Sequence, residues 1–276
     1  VRNIKKKFKI KKVGHYGTLD PMASGVLPIA LGEATKTIQF INSTNKTYSF
    51  SINWGQETDT CDSEGKITRE IDRKPKKHEI MSEIEKNFIG TIVQKPPLFS
   101  AVRVNGIRAY ELARKEVKFD IKHRKIQIFK FILLNSDNNS SSNFLVNCSA
   151  GTYVRSLARD LARKLGSFGY ASNIVRLENS YFTADNSVHF KDLINSNYKE
   201  LEGYLLPIDY VLKNIQEIKL EKKYSDMLKD GKVIFVNKYN DENIKDNFFL
   251  IKNNSKLVSI ANLKKGYIIP RRNFNN

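Results

Sequence analysis

Asp20 is the first residue whose type and position could support chemistry. It lies in the stretch "GHYGTLDPMASG", between a leucine and a proline. An aspartate before proline is common in turns, because its side chain binds nearby backbone N–H groups. Here Gly17 and Gly25 also allow another chain segment or a ligand to approach closely, and His15 precedes the carboxylate in the same cationic, aromatic setting. The stretch can therefore be a catalytic loop as well as an ordinary turn.

Arg155 could supply a charge partner for such a carboxylate. It follows Thr152 and Tyr153 at the start of a helix that opens after Gly151. Free N–H groups and the helix dipole favour an anionic group at such a place. Most arginines are solvated, but one at this position could pair with a buried aspartate.

Tyr48 lies in the segment "KTYSFSINW", where large apolar residues alternate with polar ones. It shares one face with Phe50, Ile52 and Trp54, and this alternation predicts a half-buried strand. From periodicity alone, a place in the core is favoured over a role in a site.

The elements that must position these residues follow from the same kind of pattern. The stretch "HEIMSEIEKNFIG" predicts an amphipathic helix, and "GTYVRSLARDLARKLG" predicts the clearest helix of the chain, capped by Thr152 and ended by Gly166. Further helices are predicted over "ATKTIQFI" and from near Asp185. Strands are predicted between Phe119 and Leu134 and over "FLVNCSA" and "NIVRLENSYF", with the polar stretch "NSDNNSSSN" as a hairpin tip.

Strands and helices alternate irregularly along the chain, with hairpin-like pairs. This order favours an α+β, or mixed α/β, fold over a doubly wound parallel sheet. At about Leu205 the composition shifts to short strands with turns at Gly231 and Gly266. A small, mainly β domain is therefore predicted from there to the end.

Composition points to a nucleic-acid partner. The chain has 276 residues, and 47 Lys+Arg against 29 Asp+Glu give it a formal net charge of +18, which favours a polyanion. Membrane and secretory classes are not predicted, because no apolar run approaches the roughly 18 residues of a spanning helix and none follows the basic start. Cys61 and Cys148 have neither the spacing of a disulfide framework nor that of a zinc site. Cysteines that are few and lack such spacing are typical of a protein of the reducing cytoplasm.

Four stretches, in order, resemble the motifs of the TruB family of tRNA pseudouridine synthases. "GHYGTLDPMASGVLPIALGEATK" resembles the catalytic motif, and "KTY" with "GQETDTCDSEG" resembles the second motif. "FIGTIVQKPPLFSAVRVNGIRAYELAR" is similar to the bacterial insert, and "CSAGTYVRSLARDLARKLG" to the third motif. The resemblance covers about Val13 to Phe182, and the tail from Leu205 is similar to a small RNA-binding domain of PUA type.

This resemblance implies a fold and an activity. The fold is α+β, with a mixed, mainly antiparallel sheet flanked by helices. The implied catalytic domain spans residues 1–204, with a bacterial-type insert at about 65–118, and the PUA-like domain spans 205–276. The implied enzyme isomerises the T-loop uridine called U55 in tRNA, as a cytoplasmic monomer, with no metal or organic cofactor and no DNA partner.

The resemblance also implies roles for three residues already singled out. Asp20 corresponds to the catalytic aspartate, and Arg155 corresponds to the arginine that pairs with it. A close guanidinium favours the charged form of a carboxylate. Tyr48 corresponds to the tyrosine that stacks on the target base and is a proposed proton acceptor.

Five further residues are implied to bind the substrate. His15 corresponds to the residue that fills the gap left by the extruded uridine, and Lys46 is expected to meet phosphates. Ile174 falls where the family usually has a pocket leucine, and Arg176 keeps the basic residue two places on. Gly17 fixes the backbone beside the catalytic carboxylate.

The sequence departs from the family pattern in two places. Tyr16 stands where many relatives carry a small hydroxyl residue, and no stretch of the form KPxGxTS precedes Val13. The second departure leaves an alternative function open, a tRNA-binding or folding chaperone without catalysis, although Asp20, Tyr48 and Arg155 together favour the enzyme. Related guide-RNA-dependent synthases share "GTLDP" but should lack "VNGIRAYELAR".

Overall fold

The computed structural model describes residues 1–41, 45–137, 140–237 and 248–275. Its strands are β1 Val13–His15, β2 Ser24–Gly25, β3 Ile29–Leu31, β4 Lys46–Trp54, β5 Gln56–Thr58, β6 Ile67–Glu70, β7 Gly90–Gln94, β8 Arg103–Val104, β9 Ile107–Arg108, β10 Arg124–Asp137, β11 Ser141–Cys148, β12 Gly169–Asn179, β13 Phe182–Thr183, β14 Glu217–Lys219, β15 Ile234–Phe235, β16 Phe248–Asn253, β17 Lys256–Lys264 and β18 Tyr267–Asn273.

In the described residues the α-helices are fewer than the strands. They are α1 Arg2–Lys7, α2 Lys77–Asn87, α3 Ala109–Arg114, α4 Val154–Lys164, α5 Phe190–Asn195, α6 Tyr198–Gly203 and α7 Lys222–Lys229. Single turns of 3-10 helix occur at Gly32–Lys36, Ile38–Phe40 and Tyr210–Leu212.

The chain forms two compact units. The large-sheet unit contains Gly17–Pro28 and Ser43–Ser187, and the C-terminal unit contains Val1–Tyr16, Ile29–Asn42 and Val188–Asn276. The predicted division has a single boundary, between residues 1–204 and 205–276. This division stays a prediction.

A seven-stranded sheet is the frame of the large-sheet unit. Its strand order is β13-β12-β4-β11-β10-β7, and the short β2 pairs with β12. Every pairing in it is antiparallel except β2 with β12. The prediction of a mixed, mainly antiparallel sheet in an α+β fold is confirmed.

Helices α2 and α4 pack on one face of this sheet. Apolar residues at helical spacing on α4, Leu157 and Leu161, join Phe50 and Ile52 of β4 in one buried cluster. Alternation along β4 thus turns its aromatic and aliphatic residues into the core, as the sequence predicts. Burying such side chains contributes roughly 1.5–3 kcal/mol each, which fixes β4 and α4 relative to one another.

The C-terminal unit has a second sheet, with the order β14-β16-β17-β18-β15. Its strands are antiparallel neighbours apart from β14 with β16, and helix α7 packs against it through Leu228. The prediction of a small, mainly β tail is confirmed for the described residues. Part of that tail, and the centre of the predicted hairpin tip "NSDNNSSSN", lie outside them.

Three local predictions are wrong. The stretch "ATKTIQFI" forms 3-10 turns in place of an α-helix, and the helix predicted near Asp185 begins only at Phe190. Thr152 does not cap α4, because Tyr153 precedes the first helical residue and no side-chain cap is formed. Instead, the buried Gln94 binds both the N–H and the C=O of Tyr153, at 2.9 and 3.1 Å.

Candidate active site

The Asp20 loop is held on the large sheet by Arg176 of β12. This guanidinium is fully buried, and it donates through Nε to the carbonyl of Val26 at 2.8 Å and through Nη2 to that of Gly17 at 2.8 Å. The two carbonyls flank the aspartate on either side. A buried arginine therefore holds both ends of the loop.

Gly25 makes this arrangement possible. Its φ is +100°, and a Cβ there would lie 2.2 Å from the carbonyl oxygen of Arg176. Between the two held ends, the carbonyl of Asp20 accepts the N–H of Ala23 at 3.0 Å, with Pro21 at the second turn position that favours its fixed φ. The backbone that carries the Asp20 side chain is thus rigid.

Arg155 binds the Asp20 carboxylate directly. Its Nε donates to Asp20 Oδ2 at 2.7 Å, and its other nitrogens donate to the carbonyls of Thr60, at 3.0 Å, and Phe99, at 3.1 Å. The Arg155 side chain is 4% exposed, whereas that of Asp20 is 35% exposed. The Asp20 carboxylate is therefore oriented by a buried cation, and it is still accessible to solvent.

Asp62 is a member of this site that the sequence did not single out. Its Oδ2 lies 3.3 Å from Arg155 Nη1, and its side chain is 5% exposed. Its Oδ1 accepts from the hydroxyl of Thr60 at 2.5 Å and the N–H of Glu64 at 3.0 Å. One guanidinium thus lies between two carboxylates. The acidic stretch "TDTCDSEG" was the only indication of Asp62 in the sequence. Spacing alone does not show which of its acidic residues would meet Arg155.

Tyr48 lies beside this network on β4, directly opposite Arg176 of β12 and Val146 of β11. Burial raises the pKa of Tyr48, and the charge of Arg176 opposes that rise, while the charge of Asp20 adds to it. The hydroxyl therefore keeps its proton at neutral pH. Tyr48 offers the site an aromatic ring and a hydrogen-bond donor.

Lys46 and Gly17 meet at the edge of the same face. A Cβ at Gly17, where φ is +70°, would lie 3.2 Å from Lys46 Nζ. Burial, and then the charge of Arg176, lower the pKa of Lys46. Lys46 is thus a partly desolvated amine beneath the loop, a position from which an anion would be strongly attracted.

The remaining predicted residues are Ile174 and His15. Ile174 is buried in the large-sheet core, at a bulge of β12 where the register with β4 shifts and Asn173 has a φ of +49°. Such bulges re-aim side chains beside sites. His15 belongs to the C-terminal unit, where it pairs with Ile29 across β1 and β3. The large-sheet unit therefore gathers the predicted site residues other than His15.

The described residues form neither a metal-ligand cluster nor a membrane-spanning helix. No group of three or more metal-ligating side chains is close enough to hold a metal ion. No described helix combines the length and apolar character that crossing a membrane requires.

Comparisons with known proteins identify the family of this chain. The family model described as TruB family pseudouridylate synthase (N terminal domain) matches residues 5–154. The tRNA pseudouridine synthase B of Ehrlichia ruminantium is 37% identical over all of this chain and 94% of its own length, and that of Aquifex aeolicus is 37% identical over 99% of this chain and 93% of its own.

Solved structures are similar in fold. A Cbf5-Nop10-Gar1 complex matches with a TM-score of 0.70 at 21% identity, over 99% of this chain and 78% of the matched chain. An H/ACA RNP bound to a substrate RNA containing 2'-deoxyuridine matches with a TM-score of 0.69 at 20% identity, over 99% and 79%.

Proposed function

The chain belongs to the TruB family of pseudouridylate synthases, and from this premise we propose that it isomerises the T-loop uridine of tRNA, U55, to pseudouridine. It has the pseudouridine synthase fold with a small PUA-like C-terminal sheet, and it is an isomerase of the tRNA pseudouridine synthesis class. The observation that carries the proposal is the ion pair between accessible Asp20 and buried Arg155, 2.7 Å long.

The reaction breaks the N1–C1' bond of uridine and joins the same C1' to C5 of the ring. An enzyme must supply a nucleophile or base and hold the ring while it is detached. Because Arg155 Nε binds Oδ2 of Asp20, we assign the other oxygen, Oδ1, to the substrate. Orienting that oxygen in advance removes an entropic cost from the reaction.

The detached ring needs a flat, partly apolar pocket. In our proposal the ring of Tyr48 stacks on the uracil, and Ile174 forms an apolar wall. A uridine in a folded loop must first be extruded, and a cationic or aromatic side chain often fills the gap that it leaves. His15 is the residue that we assign to this step, as the resemblance implies.

RNA binding outside the pocket rests on charge. The formal net charge of +18 supports a polyanionic partner, and we propose the T arm of tRNA. We assign Lys46 to phosphate binding, with Gly17 and the fully buried Arg176 holding the loop beside it, and residues 205–276 to a PUA-like RNA-binding domain. The monomeric state, the cytoplasmic location and the independence of metal or organic cofactor stay predictions.

Release of tritium from C5-labelled uridine in T-arm RNA tests the proposed reaction, because C5 loses its hydrogen when it is joined to C1'. Asp20→Asn should lower the release rate by roughly a thousandfold or more, as expected when the central group of a catalytic set is lost. Its affinity for the RNA should stay close to that of the wild type.

Asp226→Asn is the matched control. Asp226 lies on α7 of the C-terminal unit with a half-exposed side chain, so this variant should release tritium at the wild-type rate. Wild-type turnover by Asp20→Asn would contradict the mechanism. A wild type that binds T-arm RNA but releases no tritium would instead favour the tRNA-binding chaperone.

A further inference from the structure

Three arginines lie on one face of α4. Arg155, Arg159 and Arg163 are spaced by four residues, which places them in a row along the helix. Arg155 binds Asp20, and the rise of the helix puts Arg163 about 12 Å further along. The row therefore links the reacting carboxylate to a region well outside the site.

The segment from Glu57 to Asp62, here called the 57–62 segment, runs beside this row. At one end, Arg163 donates through Nε and Nη2 to the two carboxylate oxygens of Glu57, both at 2.7 Å. At the other end, Arg155 binds the carbonyl of Thr60 and the carboxylate of Asp62. The segment is thus attached to α4 at both ends through arginine side chains.

The 57–62 segment is internally stiff. The hydroxyl of Thr58 donates to the carbonyl of Asp62 at 2.7 Å, and Cys61 has a φ of +60°, a conformation that a residue with a side chain adopts at a cost. Cys61 also accepts the N–H of Ala171 from β12 at 3.0 Å. A shift at the Glu57 end should therefore be transmitted to the Asp62 end.

The Glu57–Arg163 pair is asymmetric in burial. The Glu57 side chain is 7% exposed, whereas that of Arg163 is 44% exposed. Removing the arginine would leave a buried carboxylate without its partner, which is strongly unfavourable. Glu57 would then move toward water, and the backbone of the 57–62 segment would follow it.

We propose that Glu57 and Arg163 are positioning residues for the isomerisation: they hold the 57–62 segment where Asp62 orients Arg155, and through it Asp20. The inference rests on the proposed function, because Asp20 is the group being positioned. Neither residue touches the Asp20 carboxylate. Their effect must therefore pass through Asp62 and Arg155, which makes the proposal specific enough to test.

Arg163→Met removes the charge and keeps much of the apolar stem. It should lower kcat for tritium release about tenfold to a hundredfold with KM for T-arm RNA changed less than about twofold, since small misplacements in a site are costly. Glu57→Gln, which keeps the shape, should act in the same direction. Arg163→Lys, which keeps the charge, should recover part of the rate.

Arg73→Met is the matched control. Arg73 also anchors the end of α4, because its Nε donates to the carbonyl of Leu165 at 2.8 Å, and it pairs with Glu79 at 3.2 Å. Its side chain has no hydrogen bond or ion pair to the 57–62 segment among the described contacts. Arg73→Met should lower Tm and leave kcat unchanged well below that Tm.

A double-mutant cycle identifies the route. If the pair acts through Asp62, Arg163→Met should have little further effect on kcat in an Asp62→Asn background, whereas Arg73→Met should remain without effect in either background. Full additivity of Arg163→Met and Asp62→Asn would overturn the proposal. So would a kcat of Arg163→Met equal to that of Arg73→Met.

Hydrogen exchange gives a readout that does not need turnover. The Glu64 N–H binds Asp62 Oδ1 at 3.0 Å, so Arg163→Met should speed amide exchange at Asp62–Gly65 and at Ala171, and Arg73→Met should not. Unchanged exchange in Arg163→Met would refute the positioning role even if the wild type proved inactive. An inactive wild type with the expected exchange would count against the proposed function alone.

Discussion

The two units of the molecule treat charge in opposite ways. The buried charged side chains of the described residues all lie in the large-sheet unit, and they are Glu57, Asp62, Arg155, Arg159 and Arg176. In the described part of the C-terminal unit, the buried polar side chains are all uncharged, namely Thr37, Ser196, Ser225 and Ser259. Both units have an apolar core, but among the described residues charged side chains are buried only in the large-sheet unit.

The difference in buried charge has an energetic consequence for each unit. Taking an ion out of water costs several kcal/mol even after relaxation, so a charged interior weakens a fold unless each ion is paired. In the large-sheet unit the buried Arg155 is paired with Asp20 and Asp62, and it orients the carboxylate of Asp20. The lysines and arginines of the C-terminal unit are left in solvent, and in our proposal they bind phosphates there at little cost in stability.

Among variants that keep Asp20 itself, the largest effect should follow from removing the cation between the two carboxylates. Arg155→Met would leave Asp20 and Asp62 facing one another without their shared partner, so Asp20 would lose its orientation. The rate of tritium release should fall by two to three orders of magnitude, about 3–4 kcal/mol in activation free energy. Single-turnover assays at saturating RNA measure this directly, and a rate within threefold of the wild type would contradict the comparison.

A second variant changes Arg176, which holds the loop, and leaves Asp20, the proposed reacting group, in place. Arg176→Met would deprive the carbonyls of Gly17 and Val26 of buried donors, at roughly 1–3 kcal/mol for each unsatisfied group. The free energy of unfolding should fall by about 3 kcal/mol in urea titrations. Arg272→Met, at an exposed position of β18, is the control and should change it by less than about 0.5 kcal/mol. Equal losses would mean that buried and exposed arginines do not differ here.

Much of this arrangement could be predicted from the sequence. Alternation on β4 fixed the face that carries Tyr48, and the helical stripe located α4 with Arg155 at its start. The loop around Asp20 was identified by its turn residues and its resemblance to a motif. These are local patterns, and local patterns are what periodicity and turn chemistry report.

The rest could not be predicted, because it depends on contacts between distant segments. The sequence predicts Thr152 as the cap of α4, whereas Gln94 of β7 binds there. Asp62 and Glu57 were two among several acids in a polar stretch, and only the folded chain brings them to Arg155 and Arg163. Spacing in sequence carries no information on such partners.

A third pair of variants compares the contribution of the two apolar cores to the stability of their units. Ile52 in β4 and Ile251 in β16 are both fully buried in central strands. Ile52→Val and Ile251→Val should each lower the free energy of unfolding of their unit by about 1 kcal/mol, with tritium release unchanged at 25 °C. A large loss of rate from Ile52→Val alone would show that the apolar packing of the large sheet also tunes the site.

The smallest effect should come from the exposed charges of the C-terminal unit. Lys264 and Lys265 lie at the exposed turn between β17 and β18, and if each neutralises one phosphate, Lys264→Ala with Lys265→Ala should reduce the slope of log K against log salt by about 1.4–1.8. Stability and kcat should not change, because neither amine is buried. The control is Lys77→Ala with Lys86→Ala, on exposed positions of α2 in the large-sheet unit. An equal change of slope in both pairs would mean that RNA responds to net charge alone, and the division of labour between the units would then lie only in their interiors.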